Sequence, residues 1–277
     1  MENKYIKIYI IIVTILLLIV FFRWQNNDLI TSKINYRSNN LPQSFNNFKI
    51  IHISDLHNKK FGKNQSILIN KINQQDPNII VITGDLVDKR RYKLKPATEF
   101  IKEAIKLAPV YYVAGNHESY NNIYKEVKPN LEALGVTVLD NKKVSINKDD
   151  SIIDIIGLLD PEFYDDKEIT LKKHLNSFAN PDNFTILLSH RPSFLEEYSK
   201  TNIDLVFSGH AHGGQIRLPL IGGLLAPDQG LFPKYTSGLH TKDQTSMVVS
   251  RGLGNSLFPI RLFNKPEIVS ITLESRD

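Results

Sequence analysis

The amino-acid sequence predicts an α/β (α+β) protein in which two mixed β-sheets pack as a sandwich flanked by helices, after an N-terminal transmembrane helix. Three observations predict this architecture: an uncharged apolar segment near the start, alternating strand-like and helix-like segments, and later runs of consecutive short strands. The chain has 277 residues, of which 42% are hydrophobic and 23% are charged. This length and composition suit one large domain or two small ones with an ordered core.

The first element is an uncharged apolar segment, residues 8–22. A spanning helix needs about 20 residues; Ile6 extends the segment, and the long side chain of Lys7 can reach the lipid head groups. No small-x-small cleavage motif follows, which favours an uncleaved anchor over a cleaved signal peptide. Basic residues are nearly balanced on the two sides of the segment. We expect a single-pass protein of the cell membrane, with its N-terminus inside and its bulk outside the cytoplasm.

Composition divides the chain into three predicted parts. Residues 1–24 form the membrane anchor, and residues 25–47, which are rich in Asn and Ser, form a tether that can contribute an edge strand. Residues 48–277 form the folded domain.

Within this domain, strand-like runs alternate with helix-like segments. Short apolar runs occur at residues 49–53, 78–83, 110–114, 184–188 and 204–207. Helical periodicity at 64–74 and 95–107, between the early runs, predicts βαβ units and a largely parallel sheet. Residues 136–159 and the part after residue 215 are instead typical of consecutive strands, which predicts a second mixed sheet.

Each of the five strand-like runs ends in polar residues that can bind metal ions. In chain order these are Asp55 and His57, Asp85 and Asp88, Asn116 and His117, His190, and His210 and His212. Loops beyond the carboxyl ends of parallel strands meet at one edge of a sheet. So many carboxylates and imidazoles would be costly to desolvate together, unless divalent cations bind them. The sequence has no cysteine, so a metal site must use imidazole, carboxylate, amide or water.

The five motifs, in this order, resemble those of the calcineurin-like metallophosphoesterase superfamily over about residues 48–273. The resemblance implies the metallophosphoesterase fold and a site for two metal ions. The implied ligands are Asp55, His57, Asp85 and His212 for the first ion, and Asp85, Asn116, His190 and His210 for the second, with Asp85 bridging. By the same resemblance, His117 is a catalytic histidine that faces the substrate, and Asp88 is a catalytic carboxylate that orients it.

Two adjacent cations lower the pKa of a shared water and stabilise negative charge on a phosphoryl group. The motifs therefore indicate a hydrolase of a phosphate ester or pyrophosphate that uses Mn, Fe or Zn, ions that these ligand types suit. Two alternatives remain open. One is a nucleotide phosphodiesterase or a protein phosphatase, and the other is a non-catalytic wall- or lipid-binding protein on the same fold.

Two features surround the motifs. Basic residues follow the first two motifs, at Lys59, Lys60 and within residues 89–95. They are either solvated charges of surface loops or a positively charged entrance that attracts an anionic substrate. Residues 216–233 form an apolar stretch rich in Gly and Pro after the last motif. This stretch is either a buried hairpin or a lip that faces the bilayer or holds an acyl chain.

The sequence around Arg251 resembles a membrane-associated bacterial subgroup that includes UDP-2,3-diacylglucosamine pyrophosphatase-like proteins. An anchored enzyme with an apolar lip suits a lipid-linked or amphipathic phosphate, so a phosphorylated, lipid-linked substrate is one expectation. Arg251 either binds phosphate or forms a structural ion pair. The net charge is +5, but the basic residues are scattered and form no known nucleic-acid module, so we expect no nucleic-acid partner. The oligomeric state is left open.

Overall fold

The computed structural model of the chain describes residues 2–178, 183–255 and 258–276. It begins with helix α1 (Glu2–Asn27), and an 18-residue window within Lys4–Asn27 has a mean hydropathy of 2.8 and is not buried against the rest of the protein. Among the described residues, α1 is the one helix that is long and apolar enough to cross a membrane. A helix that is apolar on all sides needs an apolar surrounding, as a bilayer provides.

The first sheet has six strands in the order β1-β16-β2-β3-β4-β5. Their bounds are β1 (Ile30–Ser38), β2 (Phe48–Ile53), β3 (Ile79–Thr83), β4 (Val110–Val113), β5 (Thr137–Val138) and β16 (Glu267–Ser275). Strands β2 to β5 are parallel to one another, β16 is antiparallel to β2, and β1 pairs in parallel with β16 at the edge. The last strand of the chain is therefore inserted between the first two strands of this sheet.

The second sheet also has six strands, in the order β14-β15-β9-β8-β7-β6. Their bounds are β6 (Lys142–Lys148), β7 (Ser151–Gly157), β8 (Phe184–Leu188), β9 (Leu205–Ser208), β14 (Gly238–Lys242) and β15 (Thr245–Val249). The four central strands are parallel, and β6 and β14 are antiparallel edges. Two short hairpins, β10 (Arg217–Leu218) with β11 (Gly222–Gly223) and β12 (Leu225–Ala226) with β13 (Gly230–Leu231), lie in the apolar stretch after β9.

The two sheets pack face to face, and helices cover their outer faces. Strand β3 demonstrates this, because its side chains alternate between two buried clusters. Ile79 and Val81 lie in the cluster between the sheets, while Ile80 and Ile82 lie in the cluster under the helices. A strand that is buried on both faces has a nearly continuous apolar sequence, as here. The predicted sandwich of two mixed sheets is confirmed.

Six α-helices are described. After α1 come α2 (Ser66–Asn73), α3 (Lys95–Ala104) and α4 (Ile123–Ala133), which cover the first sheet, and α5 (Lys167–Phe178) and α6 (Leu195–Tyr198), which cover the second. Helix α3 buries Phe100, Ile101 and Ala104, which share one face at helical spacing. The predicted helices at 64–74 and 95–107 correspond to α2 and α3.

The segment predicted as a tether, residues 25–47, contains the end of α1 and the edge strand β1. In β1 only Tyr36 is fully buried, and its hydroxyl donates a hydrogen bond to the backbone carbonyl of Asp204. An edge strand with one partner needs few apolar residues, which explains its polar composition. The strand places the end of α1 directly against the folded domain.

Candidate metal centre

All five predicted loops lie at the carboxyl ends of central strands, namely β2, β3 and β4 of the first sheet and β8 and β9 of the second. Backbone hydrogen bonds hold neighbouring loops in register. The amide of His57 donates to the carbonyl of Asp85 at 3.0 Å, and the amide of Gly209 donates to the carbonyl of His190 at 3.0 Å. The amide of His210 also donates to Oδ2 of Asp55 at 3.1 Å, which joins the loops of the two sheets into one rim.

Close approach of these loops requires glycine. A Cβ on Gly115 would lie 2.3 Å from the Oδ1 atom of Asp85, and a Cβ on Gly209 would lie 1.8 Å from the hydroxyl of Ser54. Real Cβ atoms do not approach other atoms so closely. Glycine at position 115 therefore allows two loops of the first sheet to meet, and glycine at position 209 allows a loop of the second sheet to meet the first sheet.

The first cluster of candidate ligands contains Asp55, His57 and His212, all buried, with ligand atoms within 4.8 Å of one another. The Oδ1 atom of Asp55 lies 3.4 Å from Nε2 of His212 and 3.7 Å from Nε2 of His57. The two Nε2 atoms face each other at 3.2 Å. These three atoms surround one point, as the ligands of a cation do.

The second cluster contains Asp85, His190 and His210, again buried and within 4.8 Å. Nε2 of His190 lies 3.3 Å from Oδ2 of Asp85, 3.1 Å from Nδ1 of His210 and 3.1 Å from Oδ1 of Asn116. The structure therefore brings the predicted amide oxygen to the same point as the two imidazoles and the carboxylate.

Asp85 lies between the two clusters. Its Oδ2 atom is 3.5 Å from Nε2 of His57 in the first cluster and 3.3 Å from Nε2 of His190 in the second. One oxygen thus faces both groups of ligands. This is the geometry that a bridging carboxylate in a two-metal site requires.

The charges of this region fit two divalent ions. Asp55 and Asp85 are almost completely buried, and in the described part of the chain their ion-pair partners are histidines. Burial would lower the pKa of His190, but the carboxylate of Asp85 raises that pKa to about 10. A cation bound beside Asp85 would balance the charge of the same carboxylate. The donor set also suits a cation, since carboxylate, imidazole and amide oxygen are common ligands of transition metals.

His117 lies next to the bridging carboxylate, with its Nε2 atom 3.9 Å from Oδ2 of Asp85. Its Nδ1 atom accepts a hydrogen bond from the amide of Lys89 at 3.1 Å. The neutral ring therefore carries its proton on Nε2, the atom that faces the metal clusters. Burial lowers the pKa of His117 to about 4, although Asp85 acts in the opposite direction. The ring is thus neutral at pH 7.

Asp88 lies close to His117 but does not hydrogen-bond to it. The distance from its Oδ1 atom to Nδ1 of His117 is 3.9 Å, and the carboxylate instead accepts from the amide of Arg90 at 2.8 Å. In the structure the backbone amide of Lys89, and not the carboxylate of Asp88, therefore contacts the ring nitrogen of His117. Asp88 contributes a nearby negative charge and holds the loop after β3.

Two buried or partly buried carboxylates support the centre, and sequence analysis did not single them out. The first, Glu118, accepts hydrogen bonds from the amides of Asp85 at 3.0 Å and Gly115 at 2.9 Å, which ties the loops after β3 and β4 together. Burial, with the charge of Asp85, raises the pKa of Glu118 to about 7. The only sequence signal for this role is an acidic residue directly after His117.

The second unpredicted carboxylate is Asp228, which lies in the turn between β12 and β13. Nε2 of His210 lies 2.9 Å from Oδ2 of Asp228, which leaves Nδ1 of His210 facing the second cluster. Arg191 also donates to Oδ2 of Asp228 at 2.6 Å and forms two hydrogen bonds with Asp160 at 2.9 and 3.0 Å. A carboxylate on the far nitrogen fixes the tautomer and orientation of a metal-binding histidine. In the sequence, Asp228 is the one charged residue among the apolar residues 218–233.

Arg251 lies behind the loop of Asp55, with its amide 2.9 Å from Oε2 of Glu267 and its Nε atom 3.6 Å from Oε1 of the same residue. The next residue, Gly252, approaches the side chain of Asp55, and a Cβ there would lie 2.7 Å from the Cβ of Asp55. The contacts of Arg251 are therefore those of the structural ion pair that sequence analysis left as an alternative.

The apolar stretch 216–233 is not a buried hairpin, because Leu220, Ile221, Leu231 and Phe232 are exposed. Beside it, a cavity of about 390 Å³ extends from Gly214, two residues after His212, to Phe258. Its other lining residues are mostly aliphatic, and they include Ile216, Leu224, Leu225, Ala226 and Pro227. An apolar surface therefore adjoins the candidate metal centre.

Helix α1 ends at the same face. The ring of Phe21 lies 6.1 Å from that of Phe263, and the ammonium of Lys265 lies 3.6 Å from the centre of the Trp24 ring. The side chain of Asn26 accepts from the amide of Arg261 at 2.9 Å. The exit of the apolar helix, the exposed apolar side chains and the metal centre are therefore on one side of the domain.

Comparison with known proteins identifies relatives of this chain. The sequence profile of calcineurin-like phosphoesterases matches residues 48–214. The metallophosphoesterase YkuE of Bacillus subtilis is 32% identical over 257 residues, which cover 88% of this chain and 85% of YkuE. The phosphodiesterase YaeI of Escherichia coli is 28% identical over 232 residues, 82% of each chain.

A bovine relative (Bos taurus), named transmembrane protein with metallophosphoesterase domain, is 31% identical over 251 residues. The match covers 85% of this chain and 55% of that protein, so this chain spans about half of its length. Among solved structures, TT1561 of Thermus thermophilus superposes with a TM-score of 0.50 at 13% identity, covering 74% of this chain and 90% of that one. This last similarity concerns the fold alone.

Proposed function

Because the chain belongs to the calcineurin-like phosphoesterase family and is a metal-dependent phosphoester hydrolase, we propose that it hydrolyses a phosphate ester or pyrophosphate at two divalent ions. The proposed ligands are Asp55, His57, Asp85 and His212 for the first ion, and Asp85, Asn116, His190 and His210 for the second. The observation that carries this proposal is the position of Oδ2 of Asp85, 3.5 Å from one cluster and 3.3 Å from the other.

When bound, the two ions would supply Lewis acidity and an activated water nucleophile. The chain's own residues hold the reacting group. Water adds across the scissile bond, so that its oxygen goes to phosphorus and a proton goes to the leaving oxygen. The proton on Nε2 of His117 points toward this region and donates a hydrogen bond to a phosphoryl oxygen. Because Nδ1 already accepts from Lys89, the neutral ring acts as a donor that stabilises charge and does not give up its last proton.

We further propose Mn, Fe or Zn as the metals, since imidazoles dominate the ligand set. The test is metal removal from the full chain in detergent, followed by reconstitution with each ion. We expect hydrolysis of bis(4-nitrophenyl) phosphate to fall at least about 100-fold after chelation and to return with Mn²⁺, Fe²⁺ or Zn²⁺. Ca²⁺ serves as the control, because it prefers oxygen ligands. Full activity of the metal-free protein would refute the proposal.

For the natural substrate, we propose an amphipathic phosphate of the membrane or cell envelope, of the kind that UDP-2,3-diacylglucosamine pyrophosphatase-like proteins act on. Two observations support this: the exposed apolar stretch 216–233 and the exit of α1 beside it. A panel of phosphomonoesters, nucleotide diesters, phosphoproteins and lipid pyrophosphates in mixed micelles tests the idea. We expect the highest kcat/KM for a lipid-linked member. A clear preference for soluble nucleotides or phosphoproteins would instead favour one of the alternative enzyme classes.

We also propose that residues 1–24 anchor the chain in the cell membrane, that 25–47 connect the anchor, and that 48–277 lie outside the cytoplasm. The length and apolar surface of α1 support the anchor. We expect alkaline carbonate washing of membranes to leave the full chain bound, whereas a shortened chain that begins at Asp28 and keeps β1 should be soluble. Protease added to intact spheroplasts should remove the domain. Release of the full chain by carbonate, or protection from protease, would contradict the anchor or its orientation respectively.

A further inference from the structure

A basic cavity of about 460 Å³ adjoins the first cluster of the metal centre. It opens between the loop after β2 and the loop after β3. Its lining includes the metal-centre residue His57, the cations Lys59, Lys60, Arg91 and Lys93, and Asn255. None of its lining residues is acidic. The basic cavity is separate from the apolar cavity beside Gly214, because the two linings have no residue in common.

The positive charge of the basic cavity is poorly compensated. Lys60 lies 3.8 Å from Glu99, and Arg91 lies 3.8 Å from Asp88. Among the ion pairs of the described residues, none includes Lys59 or Lys93. Four basic side chains thus face two carboxylates, and those carboxylates lie outside the lining. Burial, together with the charge of Arg261, lowers the pKa of Lys59 to about 7, which shows that no anion compensates its ammonium. Such a cavity attracts anions, and its field is strongest where the walls exclude water.

The cavity is held in shape by hydrogen bonds between its walls. The side chain of Asn58 donates to the backbone carbonyl of Arg91 at 2.7 Å, which joins the two basic loops. The ammonium of Lys59 donates to the backbone carbonyl of Asn26, in the last turn of α1, and lies 5.0 Å from the centre of the Phe61 ring. The side chain of Asn255 contacts that of Asn26 at 3.2 Å. The backbone of the two loops and the ammonium of Lys59 are therefore positioned before any ligand arrives, which lowers the entropic cost of binding.

We propose that the basic cavity binds a second phosphate group of the substrate, while the scissile phosphoryl group lies at the metal centre. His57 belongs to both sites, so the two groups of one small molecule can reach them together. Lysine and arginine are the residues that recognise phosphate by charge-assisted hydrogen bonds. The inference rests on the proposed function, because it assigns the scissile group to the metal centre. It restricts the substrate to phosphoesters or pyrophosphates that carry another phosphate.

The test compares two soluble diesters, 4-nitrophenyl ethyl phosphate and the same compound with a terminal phosphate on the ethyl group. For the Mn²⁺-loaded full chain in neutral detergent, we expect the phosphate-bearing diester to have the higher kcat/KM. Its advantage, the ratio of the two kcat/KM values, should fall about tenfold in Lys93→Met and in Lys59→Met. Lys93 is exposed, so its replacement leaves the fold intact if Lys59→Met does not fold. The control is Lys148→Met, which replaces an exposed lysine at the end of β6 and should leave the ratio unchanged.

The outcomes separate this inference from the proposed function. If the wild type hydrolyses neither diester with metal present, the proposed function fails. If it hydrolyses both and the ratio is near one, or is the same in Lys93→Met, only the second-phosphate site is overturned. A ratio near one together with stimulation by phosphatidylglycerol that Lys93→Met abolishes would overturn it in favour of a lipid headgroup site.

Discussion

Replacing Asp85 by asparagine is expected to reduce turnover of a phosphodiester by about 10³-fold or more, from several kcal/mol of lost charge stabilisation. The metal content should also fall below two ions per chain. The reason is that Oδ2 of Asp85 lies within 3.5 Å of ring nitrogens of both His57 and His190. A neutral amide keeps the shape of the side chain, but it cannot balance two cations with one oxygen. Asp85→Asn therefore removes the negative charge of the side chain while its volume stays nearly the same.

The measurements are steady-state kinetics and elemental analysis of the purified full chain. Asp243→Asn is the matched control, since it makes the same change at an exposed carboxylate in the turn between β14 and β15. The control should keep both activity and metals. Two bound ions together with wild-type turnover in Asp85→Asn would show that this carboxylate is not the bridge.

Replacing His117 by alanine is expected to lower kcat by about 10²–10³-fold, the usual cost of removing one hydrogen-bond donor from a charged transition state. Both metal ions should stay bound, because His117 is not among the proposed ligands. The ring's Nδ1 atom accepts from Lys89 and its Nε2 atom points at the metal centre, 3.9 Å from Asp85. We therefore expect the substitution to lower kcat without changing metal binding.

A change of leaving group tests the proposed donor role of His117 against protonation of the leaving oxygen. If Nε2–H stabilises a phosphoryl oxygen, the loss in His117→Ala should be similar for 4-nitrophenyl and for phenyl esters. If the ring instead protonates the leaving oxygen, the loss should be much greater for phenyl, the poorer leaving group. His174→Ala, in α5, is the control and should behave as wild type. Loss of metal from His117→Ala would contradict the assignment to a donor role.

Elements that depend on neighbouring residues could be predicted from the sequence, whereas elements that depend on distant contacts were harder to predict. The central strands could be predicted, because a strand that is buried on both faces, such as β3, must be apolar at nearly every position. The polar loops that follow these strands could be predicted as well, because charged residues directly after a continuous apolar run mark the end of a buried strand. Strand β1 was harder to predict, because an edge strand with one partner keeps a polar sequence.

The supporting residues of the site depended on contacts between distant parts of the chain. Asp228 meets His210 across a turn of the apolar stretch, and Lys59 meets the last turn of α1 at Asn26. Neither pair has a fixed spacing that a motif could encode. For Asp88, the motif predicted that the residue lies near His117, but it did not predict the hydrogen bond. The amide of Lys89 donates to the ring of His117, and the carboxylate of Asp88 lies 3.9 Å away.

The sequence by itself determined the chemical character of this protein: which side chains can bind metal, that thiolates cannot, and that the first helix needs an apolar surrounding. These properties belong to single residues and to short periodic segments, so they can be read locally. Only the tertiary structure decided that Oδ2 of Asp85 faces both clusters, that His117 is contacted by a backbone amide, and that four basic side chains line one cavity. Those arrangements arise where loops from two sheets and the end of α1 meet, and the distances between them depend on how the whole chain packs.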